Sequence, residues 1–488
     1  MKRLWILLAG MMLQATALAQ TPAQQYVQQM VRRGPLRGTL VGVCVKDAAG
    51  QTVAAYNDTQ RLTPASNTKL ITTGCALHAF GADYRFRTGL GYTGTIQDGT
   101  LEGDLYIMGG GDPTIGAKDS LALSTDVLFR KWKSLLKAAG IQRIHGRVVG
   151  DGSAYEGHLE HVSWSYDDLG TYYGTGTSAL CFYQNAIDYS VAAGAGENAP
   201  VKFVQTYPET PWMHTANLGI TGPAGSGNTL YLYTTDLAPY AELRGGYALD
   251  RKPKTEHFAN KYGALTCAYY FWKNLKSTGW EVTGGYADID RNGCLRGPDF
   301  VPMEPAGKPV EIGHTHSPKL REIARITNWD SDNFYAESFL RAMGETATGI
   351  ASYDSCKVAI LDVLKDLGLP VEGIRLADGS GLSRMNYLSA RWMTDYLQAM
   401  QKSPAFPAFL ESLPAPGQGT LNVVRLQDGQ RIRMKSGSMD GVLCYSGYVL
   451  DSCGNPAYTF SILTNNATAK PQEVRPALVG FLEFLLSL

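Results

Sequence analysis

The sequence lacks a hydrophobic run of the length that a bilayer span requires. Residues 4–13 are apolar, about ten residues where a transmembrane helix needs about twenty. This run follows two basic residues and precedes a small-residue segment, an order typical of a secretory signal peptide cut after Ala19. A buried N-terminal helix is the alternative. We therefore expect residues 1–19 to be removed on export and the mature chain to have no transmembrane anchor.

An excess of charge of either sign is also missing. The 44 lysine and arginine residues equal the 44 aspartate and glutamate residues, and like charges form no long run. A chain with balanced charges has no extended region of positive electrostatic potential that would attract a polyanion. Nucleic acid is therefore not an expected partner.

Cysteine is scarce. The eight cysteines contain no C-x-x-C pair and do not predict a disulfide-rich scaffold. An oxidising compartment would allow Cys267 to pair with Cys294, or Cys444 with Cys453, but the sequence leaves the pairing open.

The sequence also lacks a cluster of metal ligands. His314 and His316 have a spacing that could hold one ion, but no cysteine or carboxylate cluster accompanies them. The glycine-rich runs at residues 109–111 and 174–176 are not followed by the Lys-Ser or Lys-Thr of a phosphate loop. We expect loop histidines and turns at these positions, with no metal and no other cofactor.

Both ends of the chain predict parts of one sheet. At the N-terminal end, residues 40–45 and 52–56 are predicted to form a strand hairpin, and apolar spacing over residues 70–80 predicts a helix that Gly81 ends. At the C-terminal end, the predicted elements are strands at residues 431–434, 445–450 and 458–463 and a helical tail from residue 471.

The middle of the chain has a different residue pattern. Short strand-like runs such as residues 105–108, 147–149 and 229–233 are separated by glycine, aspartate and asparagine. The predicted fold class is therefore α+β, with an antiparallel sheet flanked by helices and a large β-rich insertion. The expected domains are residues 20–81 with 314–488 for the sheet, and residues 82–313 for one or two inserted domains.

Three short motifs occur in order: S-N-T-K at residues 66–69, S-D-N at 331–333 and K-S-G at 435–437. Each is weak alone, since residues 134–137 and 226–228 match the first two patterns by chance. The serine of residues 134–137 lies within a predicted amphipathic helix, where its hydroxyl would face its own backbone or solvent. Ser66 instead precedes a predicted helix.

The position of Ser66 has chemical consequences. Unpaired backbone N–H groups and the positive end of the helix dipole lie beside a nucleophile at a helix N-terminus. Lys69, three residues later, falls on the same helix face and could take the hydroxyl proton if its pKa were lowered. Lys435 could supply a charge that lowers it. A helix cap is the alternative for Ser66.

The other two motifs supply polar groups that suit a peptide substrate. Asn333 offers an amide to a peptide group, and Ser331 could relay a proton between Lys69 and a leaving nitrogen. Lys435 on a strand presents a cation to a carboxylate, and the strand edge can pair with an extended peptide. Acyl transfer from a peptide with a free C-terminal carboxylate is the predicted chemistry. The alternatives are a turn at 331–333 and a solvated strand lysine at Lys435.

The ordered motifs resemble the signature of the active-site-serine penicillin-recognising enzymes, S-x-x-K, S-x-N and K-T/S-G. Over essentially the whole mature chain the sequence is similar to the low-molecular-mass class C penicillin-binding proteins. The segments 109–113 (GGGDP), 331–337 (SDNFYAE) and 378–384 (DGSGLSR) carry this closer resemblance. The long separation of the first two motifs fits this subgroup too, because its members carry large inserted domains there.

The resemblance implies a role for each motif residue. Ser66 would form the acyl-enzyme, with Lys69 as general base and Ser331 in the proton network. The N–H groups of Ser66 and Ser438 would form the oxyanion hole. The family more often has threonine at Ser436, and serine keeps the hydroxyl. The implied substrate-binding residues are Asn333, Lys435, Ser436, Gly437, Ser438, Arg384 and Asp151.

The implied function is that of a periplasmic D-Ala-D-Ala carboxypeptidase or DD-endopeptidase. Its partners would be peptidoglycan stem peptides, with β-lactam antibiotics as covalent inhibitors. A serine β-lactamase or esterase of the same fold is one alternative, although no E-x-x-L-N pattern lies between Asn333 and Lys435. A catalytically silent peptidoglycan-binding scaffold is another, against which the intact Ser66 and Lys69 argue.

The C-terminal tail, from residue 471, is strongly apolar and has few charged side chains. A lipid-surface helix would have a basic polar face, which this segment lacks. We expect a helix packed on the sheet.

Overall fold

The computed structural model describes residues 21–290 and 292–488. The predicted signal peptide, residues 1–19, lies outside them. Within the described residues, no helix has both the length and the apolar character needed to cross a membrane.

Helices and strands are labelled in chain order over the described residues. The α-helices α1 to α10 are Pro22–Met30, Thr68–Phe80, Thr125–Ala138, Gly263–Ser277, Leu320–Trp329, Asn333–Thr348, Tyr353–Asp366, Ala390–Met400, Phe406–Ser412 and Pro471–Ser487. The strands β1 to β26 are Leu40–Asp47, Thr52–Tyr56, Arg61–Leu62, Arg87–Tyr92, Thr95–Gln97, Thr100–Glu102, Leu105–Met108, Arg143–His145, Val148–Asp151, Ala186–Ala192, Lys202–Tyr207, His214–Asn217, Ile220–Gly222, Tyr231–Thr234, Tyr240–Arg244, Gly246–Ala248, Lys254–Ala259, Glu281–Val282, Tyr286–Ile289, Leu295–Arg296, Pro302–Met303, Val310–His316, Leu388–Ser389, Ile432–Met439, Val442–Leu450 and Pro456–Asn465.

The chain forms two compact units. The first consists of residues 21–67, Tyr387–Gln401 and Leu413–Leu488, and the second of Thr68–Asn386 and Lys402–Ser412. Within the second unit, α2 packs against α5, α6 and α7. An independently folded domain at residues 82–313 stays a prediction.

The first unit is built on a five-stranded antiparallel sheet in the order β2-β1-β26-β25-β24. The N-terminal strand β1 pairs along its whole length with the C-terminal strand β26, which confirms the predicted sheet from both ends of the chain. Helices α1 and α10 pack together on the sheet, with Val27, Leu478 and Phe481 in its buried core. The prediction of a packed C-terminal helix is therefore confirmed.

The second unit contains a seven-stranded sheet in the order β21-β20-β19-β9-β7-β4-β22. Its central pairs, β7 with β9 and β9 with β19, are parallel. Helix α4 packs on β9 and β19, while α3 packs against β22. Smaller sheets, β11-β10-β17 and β12-β15-β14, follow in the inserted part of the chain. The prediction that the middle of the chain is rich in β-strands is confirmed.

Ser134 lies within α3 and donates a hydrogen bond to the carbonyl of Arg130, at 3.0 Å, as expected for a chance match. The prediction that His314 and His316 lie in a loop is wrong: both lie on β22, where pairing with β4 extends the strand through them. Among the described residues, Cys267 is not bonded to Cys294, nor Cys444 to Cys453.

Candidate active site

Ser66 lies in a single 3₁₀ turn, Ala65–Asn67, that runs directly into α2. Of residues 64–71, Ser66 retains partial exposure and the others are buried. The preceding residue, Ala65, has a φ of +47°, a left-handed conformation that costs a non-glycine residue free energy. The packed surroundings therefore hold the turn, and Ser66 keeps part of its surface exposed at the start of the helix.

Strand β24 of the first unit passes close to this turn at Gly437. A Cβ atom on Gly437 would lie 2.5 Å from the carbonyl oxygen of Pro64 and 3.1 Å from the amide nitrogen of Ser66. Only glycine allows backbone contact this close. The structure thus brings the third motif beside the backbone of Ser66.

A buried chain of polar side chains fixes the same turn to the sheet. Asn67 donates a hydrogen bond from Nδ2 to Oγ of Ser446, at 2.8 Å, and Ser446 shares a second bond of 2.9 Å with Ser461. All three residues have no exposed surface. Because buried polar groups need partners, this chain favours one position of the turn.

The residues of the third motif differ in burial along β24, which is the edge strand of its sheet. Lys435 is fully buried, and its Nζ donates to the carbonyl oxygen of Ser436 at 2.8 Å. Ser436 shares a 2.9 Å hydrogen bond between its hydroxyl and that of Thr420. Ser438 is exposed. Thr420 carries no motif, so the sequence analysis missed it.

Lys69 of the second unit is fully buried in α2. Its Nζ donates to Oδ1 of Asn333 at 2.6 Å and to the carbonyl oxygen of Ser380 at 2.7 Å. Burial lowers the pKa of Lys69 to about 8, although the nearby carboxylates of Asp378, Glu337 and Asp332 oppose the change. A substantial fraction of this lysine is therefore neutral near pH 8.

The second motif lies at the start of α6. Asp332 caps the helix by accepting from the amide of Tyr335 at 2.8 Å, and Asn333 is its first residue. The Asn333 Nδ2 donates to the carbonyl oxygen of Tyr173 at 2.9 Å. Ser331 is partly exposed and has a φ of +59°. The structure thus brings the second motif to Lys69 through Asn333.

The loop that supplies the Ser380 carbonyl is held by two buried carboxylates. Glu337 accepts from the amides of Gly379 and Ser380 at 3.1 and 2.8 Å. Asp378 accepts from the amide of Gly381 and from the indole of Trp164, both at 2.8 Å. Burial and the charge of Asp378 raise the pKa of Glu337 to about 7. The sequence analysis quoted this segment as a family signal but assigned Glu337 and Asp378 no role.

Arg384 and Asp151 have different surroundings. Arg384 is exposed and lies close enough to Asp168 to oppose the rise in that carboxyl's pKa, which is caused chiefly by burial. Asp151 accepts from the amide and hydroxyl of Ser153, at 3.0 and 2.6 Å, which caps the turn after β9. The contribution of Asp151 to substrate binding stays a prediction, and Asp168 is a carboxylate that the sequence analysis did not identify.

Comparison with known proteins gives consistent matches. Residues 23–485 match the model of the D-Ala-D-Ala carboxypeptidase 3 (S13) family. A D-alanyl-D-alanine carboxypeptidase from Actinomadura sp. is 30% identical over 92% of this chain and 82% of its own length. One from Haemophilus influenzae is 24% identical over 97% of this chain and 96% of its own.

The solved structures agree in fold. The crystal structure of penicillin binding protein 4 from Haemophilus influenzae has a TM-score of 0.78 and 23% identity, covering 94% of this chain and 98% of its own. A complex of that protein with a β-lactam has a TM-score of 0.73 at the same identity and coverage. The predicted sheet-and-helix fold with inserted domains is confirmed by this likeness.

Proposed function

Because the chain belongs to the D-Ala-D-Ala carboxypeptidase 3 (S13) family of serine peptidases, we propose that it cleaves the terminal D-Ala–D-Ala bond of peptidoglycan stem peptides through an acyl-enzyme on Ser66. The observation that carries this proposal is the buried Lys69, held by Asn333 and the Ser380 carbonyl, with a pKa of about 8. A lysine in this state can act as a base near neutral pH. It follows a partly exposed serine by three residues on the same segment.

Acylation starts when neutral Lys69 takes the proton of the Ser66 hydroxyl. The serine oxygen bonds to the carbonyl carbon of the penultimate D-alanine, and the backbone N–H groups of Ser66 and Ser438 stabilise the oxyanion. The peptide C–N bond then breaks, and the leaving nitrogen receives the proton from Lys69 by way of Ser331. Water hydrolyses the ester, releases the shortened peptide and restores the serine proton.

The third motif binds the substrate's C-terminal carboxylate. Lys435 supplies a positive charge, and the hydroxyl of Ser436, oriented by Thr420, supplies a hydrogen bond. The exposed Ser438 on the edge strand β24 allows an extended peptide to pair with the strand. Arg384 contacts the peptide's side chain, with Asp151 or Asp168 as its acidic counterpart.

The proposal extends to location and inhibitors. The signal peptide predicted at residues 1–19 exports the chain to the periplasm, where stem peptides are found. β-Lactams acylate Ser66 because they present a reactive carbonyl and a carboxylate in the same relation as the peptide. Residues 82–313 form inserted domains that contain none of the three ordered motifs.

The test is release of D-alanine from a stem pentapeptide and cleavage of a D-Ala-containing cross-linked dimer. Purified wild-type protein should release D-alanine, and Ser66→Ala should not. For the wild-type protein, the ratio of the rate of D-alanine release to the rate of dimer cleavage separates carboxypeptidase from endopeptidase preference. Rapid multiple turnover of penicillin with no attack on either peptide would instead identify a β-lactamase, and no reaction with any of them would identify a silent scaffold.

A further inference from the structure

An exposed sheet face in the inserted part of the second unit is rich in tyrosine. In the sheet β12-β15-β14, the inward side chains Leu232, Ala241 and Leu243 are buried in an apolar core. The register pairs Tyr231 with Arg244 and Tyr233 with Glu242, so the alternate side chains of both strands share the outward face. We call the aromatic side chains of this face, together with one that stacks on them, the tyrosine face: Tyr166, Tyr231, Tyr233, Tyr240 and His214.

The aromatic rings of the tyrosine face contact one another in two groups. Tyr166, 64% exposed, stacks on Tyr233 with ring centroids 4.8 Å apart, and Tyr233 meets Tyr231 edge-on at the same distance. His214 stacks on Tyr240 at 5.6 Å across the sheet. The outward face of a sheet in water ordinarily carries polar or charged side chains. Aromatic rings gathered on one sheet face, here three exposed and two half-buried, are a feature of binding surfaces.

The chemistry of this face suits a neutral sugar chain. The negative π-faces of the rings attract the slightly positive C–H groups on one side of a pyranose ring, and the phenol hydroxyls can bond to its hydroxyls. Glu242 and Arg244 on the same face form an ion pair with each other, so the face presents no net charge from this pair. Polyanions bind surfaces with an excess of positive charge, which this ion pair does not supply.

The tyrosine face is connected to the proposed active site by a short segment. Tyr166 and Tyr173 are seven residues apart, a length of chain that spans at most about 25 Å. Tyr173 is the residue whose carbonyl accepts the hydrogen bond from Asn333, and Asn333 in turn accepts from Lys69. The tyrosine face and the Asn333–Lys69 pair therefore lie in the same unit, joined through this short segment.

We propose that the tyrosine face binds the glycan strand of peptidoglycan, so that the stem peptide is presented to Ser66 while its glycan is held. This inference rests on the proposed function for its choice of glycan. The face would favour polymeric peptidoglycan over free peptide as substrate. It would contribute nothing to hydrolysis of a peptide that carries no sugar.

The test measures binding of glycan strands from which an amidase has removed the stem peptides. The Tyr166→Ala/Tyr233→Ala double variant should bind these strands about tenfold or more weakly than wild type. The Tyr166→Phe/Tyr233→Phe variant keeps the rings and should retain most of the affinity. Val204→Ala, which shortens an exposed apolar side chain on β11 outside the face, should bind as wild type does. Release of D-alanine from a sugar-free pentapeptide should stay within about twofold in all of them.

Two outcomes would overturn the inference: wild-type protein that does not bind the stripped strands, or an alanine double variant that binds them as wild type does. If the alanine variant fails to fold, competition decides, since soluble N-acetylglucosamine oligomers must displace wild-type protein from the strands. Their failure to do so overturns the inference as well. Tyrosine-dependent binding by a protein that releases no D-alanine would uphold the tyrosine face and refute the proposed function.

Discussion

Lys69 combines burial with three nearby carboxylates, and the balance between them sets its pKa. Burial lowers the value from 10.5 to about 8, and each carboxylate acts in the opposite direction. Since the folded pKa lies below the unfolded one, the unfolded state binds more protons between these two values. This lysine therefore adds a stability term that rises with pH across that window and is unfavourable below it.

The pH dependence of acylation follows from the same balance. If Lys69 must be neutral to accept the serine proton, kcat/KM for a stem peptide should rise with pH and level off above about 8. Lys69→Ala should lower the rate by about 10²–10⁴-fold or more on the plateau above pH 8, where the wild-type lysine is mostly neutral. Stopped-flow acylation measured from pH 6 to 10 checks both. A rate that falls across this range would contradict the assignment of Lys69 as base.

A substitution at Glu337 should shift the pH profile of acylation while leaving the base, Lys69, unchanged. Glu337→Gln keeps an oxygen that can accept from the Gly379 and Ser380 amides but removes a charge that raises the Lys69 pKa. The midpoint of the acylation profile should therefore shift to lower pH. Glu281→Gln, at an exposed position on β18, is the matched control and should leave the midpoint unchanged. An unshifted midpoint in Glu337→Gln would show that this carboxylate is not charged when Lys69 acts.

Lys435 should act on a different part of the substrate. A charge-assisted hydrogen bond of roughly 1.5–3 kcal/mol to the carboxylate corresponds to about ten- to a hundredfold in kcat/KM. Lys435→Ala should lose this much on a D-Ala-D-Ala peptide and much less on a thioester that has no carboxylate. Equal losses on both substrates would assign Lys435 to proton transfer instead.

At the scale of elements, the contact between β24 and the Ser66 turn depends on a missing side chain. Gly437→Ala would place a methyl group 2.5 Å from the Pro64 carbonyl and force the strand and the turn apart. A displacement near 1 Å at a reacting group can lower the rate about 10²-fold. We expect a loss of this size in penicillin acylation, measured alongside Gly34→Ala, where an added Cβ meets nothing within 4 Å. Equal rates in the two variants would show that the turn does not need this contact.

Helix α10 contributes to the stability of the first unit through its buried face. Phe481 is fully buried in the core shared with β1 and β25, and Phe481→Ala should lower the free energy of unfolding by about 3–5 kcal/mol. Phe484 stacks on Tyr26 but is only partly buried, so Phe484→Ala should cost less. Urea unfolding of both variants makes the comparison, and similar losses would contradict the packing described for this helix.

The elements that the sequence predicts well are those with a strong local pattern. Short strand-like runs predict β1, β25 and β26 within a few residues, and the 3.6-residue period predicts α2. Two groups of the second unit lack such a signal. Ser380 contributes a backbone carbonyl, which no side-chain motif encodes. Asp168, which lies near Arg384, belongs to a loop of turns that has no periodic pattern.

For the molecule as a whole, the order of elements along the chain predicts which strands form the sheet but not which helices pack together. Pairing of β1 with β26 follows from strands at both ends of the chain. The sequence places α2 in one domain with that sheet because the two are adjacent along the chain, and this assignment stays a prediction. It does not show that α2 packs against α5, α6 and α7. Such contacts depend on side chains far apart in sequence, which a local pattern does not reveal.

The central claim is that Ser66 is the nucleophile of this chain, and covalent labelling tests it most directly. The protein is incubated with penicillin, digested, and analysed by mass spectrometry. We predict one penicilloyl adduct on the peptide that contains Ser66, absent from Ser66→Ala and slow to be released. An adduct on another serine, such as Ser134, or no adduct on correctly folded wild-type protein, would contradict the account.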